Sequence, residues 1–184
     1  MSLLDIHVLG SPILREETKP VERMTEELRR LTDDMFETMH AAKGIGIAAP
    51  QIGRSERIAV IDVENNPIVL VNPEIILSEG SAKGEEGCLS IPEIFGDVDR
   101  ATRITVRALD RDGEPFELEA TELLARCMQH EIDHLHGKLF IDYFSLLKRR
   151  SARSKWESMK KDFPQNIRKL SPDEIAGRHG EEPL

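Results

Sequence analysis

The stretch Thr121-Glu122-Leu123-Leu124-Ala125-Arg126-Cys127-Met128-Gln129-His130-Glu131-Ile132-Asp133-His134-Leu135-His136-Gly137 decides how this chain is read. Thr121 is placed to cap a helix N-terminus, and Gly137 stands where a helix commonly ends in a left-handed residue. Leu123, Leu124, Ala125, Cys127, Met128, Ile132 and Leu135 cover most of the circumference between them. A helix apolar nearly all round is a buried helix. His130 and His134 lie four residues apart, on one face, so their imidazoles can converge on one ion. Glu131 points about 100° away, in reach of a water at that ion rather than of the ion itself. Two imidazoles and a carboxylate are costly to bury without partners. The stretch therefore predicts a metal-binding helix over residues 122–136.

The surrounding sequence predicts α+β architecture, with antiparallel sheets around that helix and a further helix at the C-terminal side. Met24, Leu28, Leu31, Met35 and Met39 recur at spacings of three and four, with Thr25 before them and Gly44 beyond. Residues 57–63 and 68–71 read as strands separated by Asn65-Asn66-Pro67. Ile104, Val106 and Ala108 alternate, as do Phe116, Leu118 and Ala120, and Asp110 to Gly113 supply turn chemistry between them. Ala152, Trp156, Met159 and Phe163 form the stripe of a basic helix over about 146–163, which stops before Pro164. One catalytic domain over residues 1–164 is expected, followed by a loose, flexible tail over 165–184.

Composition narrows the function classes. The chain has 184 residues, of which 39% are hydrophobic, and a formal net charge of −9. That size suits one domain with a core of its own. The acidic balance argues against general nucleic-acid binding, and no sequence-specific nucleic-acid partner is expected. No apolar run approaches the length of a membrane span, so no membrane partner is expected either. Two cysteines, Cys88 and Cys127, exclude a disulfide scaffold and point to the cytoplasm.

Two histidines leave a catalytic site one ligand short. The metzincin pattern would place a third histidine three residues after Gly137, but that position is Phe140. A glutamate ligand would have to be Glu157 or Glu174, and a solvated ion pair explains Glu157 better. Upstream, Glu85-Glu86-Gly87-Cys88-Leu89-Ser90 offers a thiolate, a strong ligand for a borderline-soft divalent ion. Cys127, on the same helix as His130, suits the wall of a pocket beside the site. A third segment, Gly44-Ile45-Gly46-Ile47-Ala48-Ala49-Pro50-Gln51, combines glycines that permit close backbone approach with a neutral amide. It lacks the phosphate-binding fingerprint, and Gly44 follows a helix where that fingerprint needs a strand.

In order and approximate spacing, the three segments resemble those of the bacterial peptide deformylases, from the first helix to about Leu147. Residues 57–62, the 108–113 turn and Gln129 are also family-like, and Pro92 matches the group typified by Gram-negative enzymes. The resemblance implies a metal-dependent hydrolase that removes the N-formyl group from the initiator methionine of nascent polypeptides. It implies Cys88, His130 and His134 as metal ligands and Glu131 as acid/base. Gln51 and the Leu89 backbone N–H would stabilise the oxyanion. Ile45, Gly46, Gly87 and Cys127 would line the peptide-binding groove. One divalent ion per chain is implied, Fe2+ by family, with Zn2+, Ni2+ or Co2+ compatible with the ligands. The alternatives are a metallopeptidase cleaving internal amide bonds and a non-catalytic, metal-stabilised interaction protein.

The net charge is unevenly spread. Residues 148–169, beginning at Lys148 and ending at Lys169, carry +7, against −13 for residues 1–147 and −3 for residues 170–184. A solvated basic helix face accounts for this. So does docking to ribosomal RNA phosphates, as a nascent-chain substrate would require.

Overall fold

The computed structural model describes residues 2–177. Its strands are β1 (Ile6–His7), β2 (Gly46–Ala48), β3 (Ile58–Val63), β4 (Asn66–Glu79), β5 (Ala82–Cys88), β6 (Ile91–Arg100), β7 (Arg103–Leu109), β8 (Pro115–Thr121) and β9 (Ile167–Arg168). Its α-helices are α1 (Glu26–Ala41), α2 (Glu122–Leu135), α3 (Leu146–Met159) and α4 (Pro172–Ala176). All strand pairs within the sheets are antiparallel, in a five-stranded sheet of order β2-β3-β4-β7-β8 and two-stranded sheets β5-β6 and β1-β9. The fold is α+β, as expected.

Local chemistry explains the main elements. The Thr25 side chain accepts a hydrogen bond from Leu28 N at the start of α1. Met35 and Met39 on α1 are fully buried against β2 and β3, in a cluster with Ile47, Ile58 and Val60. The β7–β8 hairpin turns where Asp110 Oδ1 accepts from the amides of Asp112 and Glu114. Ile104 and Val106 face a second cluster with Ala125, Met128 and Ile132 of α2. The five-stranded sheet and the β5–β6 hairpin thus hold α2 between them. Ala152 and Trp156 of α3 join a third cluster with Ile91, Ile94 and Phe140.

Two expectations change in detail, and the segment beyond Pro164 contains regular elements. Thr121 occupies the N-cap of α2, yet its hydroxyl makes no capping bond; Glu122 N donates to Thr102 O instead. The α3 helix ends at Met159, a short 3-10 turn follows, and Phe163 reaches back to stack on Trp156 with ring centroids 5.6 Å apart. Within the segment expected as a tail from Gln165, β9 pairs with β1 through Ile6 opposite Arg168, and α4 follows with Ser171 capping it. Edge pairing satisfies backbone groups that a polar composition alone does not reveal. Residues 178–184 of that tail, with His179, lie outside the described residues. No helix among the described residues is long and apolar enough to cross a membrane.

Candidate metal centre and active site

Helix α2 brings the first two ligand candidates to one point. The Nε2 atoms of His130 and His134 are 3.2 Å apart, and both side chains are buried. Gly137 then ends the helix in left-handed conformation at φ 71°. A Cβ on Gly137 would meet the backbone oxygen of Arg15 at 2.5 Å, so the close approach requires glycine. At the end of β5, Cys88 places its Sγ 3.3 Å from His134 Nε2. The three ligand atoms lie within 4.8 Å of one another, the one such His/Cys/Asp/Glu group among the described residues. Three lone-pair donors face a common point. His130 Nδ1 is engaged by Glu86 Oε1 at 2.9 Å, which leaves its Nε2 bare as a ligand. The donor set fits a divalent ion.

Glu131 lies beside this point, buried, with Oε2 in no hydrogen bond. Burial pushes its carboxyl up to about 7, against the opposing pull of a charged His130. The site needs a small residue at Gly46, because a Cβ there would meet Glu131 Oε1 at 2.6 Å and Cys127 Sγ at 3.0 Å. Gln51 sits in a 3-10 turn, Ala49–Ile52, whose geometry is locked by the Ala48 amide donating to Gln51 Oε1. Its Nε2 is directed to Ser90 Oγ at 3.1 Å and to Cys88 Sγ at 3.6 Å, so a donor stands beside the ligand cluster. Leu89 follows Cys88 in the β5–β6 turn. Cys127 donates toward Ile45 O at 3.6 Å; burial pushes its thiol well up, so it remains a neutral wall.

These residues surround a cavity of about 430 Å3 lined by Ile45, Gly46, Gln51, Gly87, Leu89 and Glu131, with Cys88, Cys127 and His130 also at its surface. His134 is not at that surface; it is buried against Cys88 and His130, which are. Every sequence-predicted site residue is thus gathered at one place.

The sequence reading gave no role to the charges behind His130. Glu86 receives two hydrogen bonds from Arg100 and one from Arg126, as well as facing His130. Arg100 also donates to Asp133 Oδ2 at 2.6 Å, and the Tyr143 hydroxyl donates to the same oxygen at 2.7 Å. Burial opposes ionisation of Glu86, but Arg100 and His130 outweigh it and hold the carboxyl down to about 2. A depressed carboxylate contributes stability that is complete above the unfolded value of about 4.3 and is lost as pH falls toward 2. Glu86→Gln should therefore be less stable at neutral pH by on the order of 3–5 kcal/mol. It should also lose less stability than the parent between about pH 5 and pH 2. Denaturant melts followed by circular dichroism at each pH measure both; parallel curves for the two proteins would refute the effect.

The peptidase ligands are spent elsewhere. Phe140 packs against His130 in the core, Glu157 pairs with Lys160, and Glu174 pairs with Arg168. His7, His40 and His136 bond Ser11, Asp62 and Glu17, away from the centre.

The polypeptide deformylase family model matches residues 3–150. The chain belongs to that family. A curated peptide deformylase of Alkalilimnicola ehrlichii is 52% identical over 171 residues, covering 91% of this chain and 96% of that protein. The crystal structure of a peptide deformylase from Legionella pneumophila superposes with a TM-score of 0.84 at 50% identity, covering 87% of this chain and 96% of the other. A peptide deformylase from Ehrlichia chaffeensis, solved in complex with actinonin, gives a TM-score of 0.84 at 40% identity, over 89% of this chain and 99% of that one. Family membership, at this identity and coverage, carries the activity as well. The chain is an enzyme, a deformylase acting on nascent formylated peptides, and its Cys88, His130 and His134 form a group able to hold a metal cofactor. Cleavage of internal amide bonds and a non-catalytic role are not favoured.

Proposed function

We propose the following roles for individual residues, resting on the convergence of Cys88, His130 and His134 beside an unpartnered, buried Glu131. Cys88, His130 and His134 hold one divalent ion. Bound there, it would supply Lewis acidity, lowering the pKa of water and polarising the formyl carbonyl. Glu131 takes the proton of the attacking water and later delivers it to the leaving amine. Its raised affinity for protons, a consequence of burial, suits it to hold that proton between the two steps. The Gln51 amide and the Leu89 backbone N–H donate to the formyl oxygen as it becomes negative. Ser90 keeps Gln51 aimed. Ile45, Gly46, Gly87 and Cys127 line the cavity that admits the methionine, and residues 1–164 form the catalytic domain.

Fe2+ is the proposed ion, because the sequence resembles enzymes that use ferrous iron, while the donors by themselves suit zinc. Zn2+, Ni2+ and Co2+ fit the same donors. Anaerobic purification, metal analysis and turnover of formyl-methionyl peptides on one sample test both points. Iron content and activity should fall together on exposure to air, with no turnover of internal amide bonds. A fully active anaerobic sample holding only zinc would overturn the ion. Internal cleavage without deformylation would overturn the residue roles.

A nascent-chain substrate places the enzyme in the cytoplasm, and residues 148–169 are proposed to dock on the ribosome. Arg150, Arg153 and Lys161 are exposed on that segment. Replacing all three by Glu should weaken ribosome co-sedimentation at low salt while sparing turnover of short peptides. Undiminished co-sedimentation would sink the docking.

A further inference from the structure

A formyl group delivered to Glu131 at the cavity floor dictates where the rest of a peptide runs. An extended chain advances about 3.3–3.6 Å per residue, so the side chain after the methionine stands one step farther out, level with the rim. Three large apolar side chains left exposed by folding share that rim: Phe95 at 62%, Leu123 at 49% and Ile45 at 43%. Single exposed apolar residues are ordinary, but three around one cavity mouth form a contact surface. The two rim arginines are already engaged. Arg126 donates to Glu86 and to the carbonyls of Ala82 and Val98, and Arg168 pairs with Glu174.

Phe95 is exposed yet held. Its ring lies over the bare Cα of Gly87, so near that a Cβ there would sit 2.7 Å from Cε1. The residues around it are gripped by α3 and the turn before it: Lys155 Nζ donates to Glu93 O at 2.5 Å, and the side chains of Lys148 and, just before the helix, Phe144 crowd Gly96. A ring fixed in place before binding loses little freedom on contact. We propose that Phe95 is a specificity-determining residue for the position after the formyl-methionine, selecting an apolar and above all an aromatic side chain there. The inference rests on the deformylase reading of this cavity and specifies its substrate class.

The test compares kcat/KM for formyl-Met-Phe and formyl-Met-Ser peptides of equal length, in the metal-loaded parent, Phe95→Ala and Phe95→Leu. The parent should favour the aromatic peptide by about tenfold, from ring contact and apolar burial together. The difference should lie mainly in KM, since the contact is made in ground and transition states alike. Phe95→Ala should bring the ratio to within about twofold, and Phe95→Leu should restore part of it. A parental ratio near one, or a ratio unchanged in Phe95→Ala, would overturn the inference while leaving deformylation intact. Failure of the metal-loaded parent to deformylate either peptide would instead bring down the reading on which it rests. Thermal melts of both variants confirm that each ratio comes from folded protein.

Discussion

Glu131→Gln is expected to keep its full equivalent of metal while losing deformylation by about 10²–10⁴-fold or more, the usual contribution of a general acid/base. The amide has nearly the carboxylate's shape, so it fits the space that Gly46 leaves open. It cannot accept and return a proton. The carboxylate itself is expensive to bury: Oε2 has no hydrogen-bond partner, and burial drives the group up to about 7 in the absence of an ion. Such an unpartnered charge is retained against its desolvation cost only where it has work to do. The variant should accordingly be as stable as the parent, or more stable. Metal analysis and single-turnover rates on one sample decide the matter. Survival of near-parental hydrolysis would remove Glu131 from the chemistry.

Cys88→Ala is expected to strip the site. One of the three proposed ligands disappears, and the remaining pair of imidazoles has no third donor to recruit. Cys127 is the other thiol, but it is buried, directed to Ile45 O and held neutral. Glu86 is occupied by two arginines and His130. The variant should lose its metal to a chelator that leaves Glu131→Gln loaded, and its melting temperature should cease to respond to added metal. Retention of a full equivalent after chelator dialysis would take Cys88 out of the ligand set.

The sequence was most legible where the information is local. His130 and His134 share a helix face because 3.6 residues make a turn, and the β7–β8 hairpin announces itself by alternation around Asp110 and Gly113. The β5–β6 hairpin that carries Cys88 was not expected. Its first strand reads Ala-Lys-Gly-Glu-Glu-Gly-Cys, and its second turns Gly96 and Arg100 inward where an apolar residue would betray a strand. The role of Glu86 was hidden for the same reason. Which face of β5 it occupies depends on pairing with β6, and a charged inward residue has the same sequence signature as a solvated one. Its place two residues before the ligand cysteine was the available hint. Asp133 and Tyr143 acquire their partner Arg100 only through that long-range register.

The two-residue ladder between β1 and β9 has a consequence for the order in which the molecule is assembled. Ile6, fully buried, is opposite Arg168, more than 160 positions downstream. Closing so wide a loop is entropically unfavourable until other contacts have drawn the ends near, although the penalty grows only logarithmically with length. The sheet around α2 can therefore form first, with this clasp among the last pairings made. While being translated, the enzyme cannot fasten β1 until residue 168 has left the ribosome that made it.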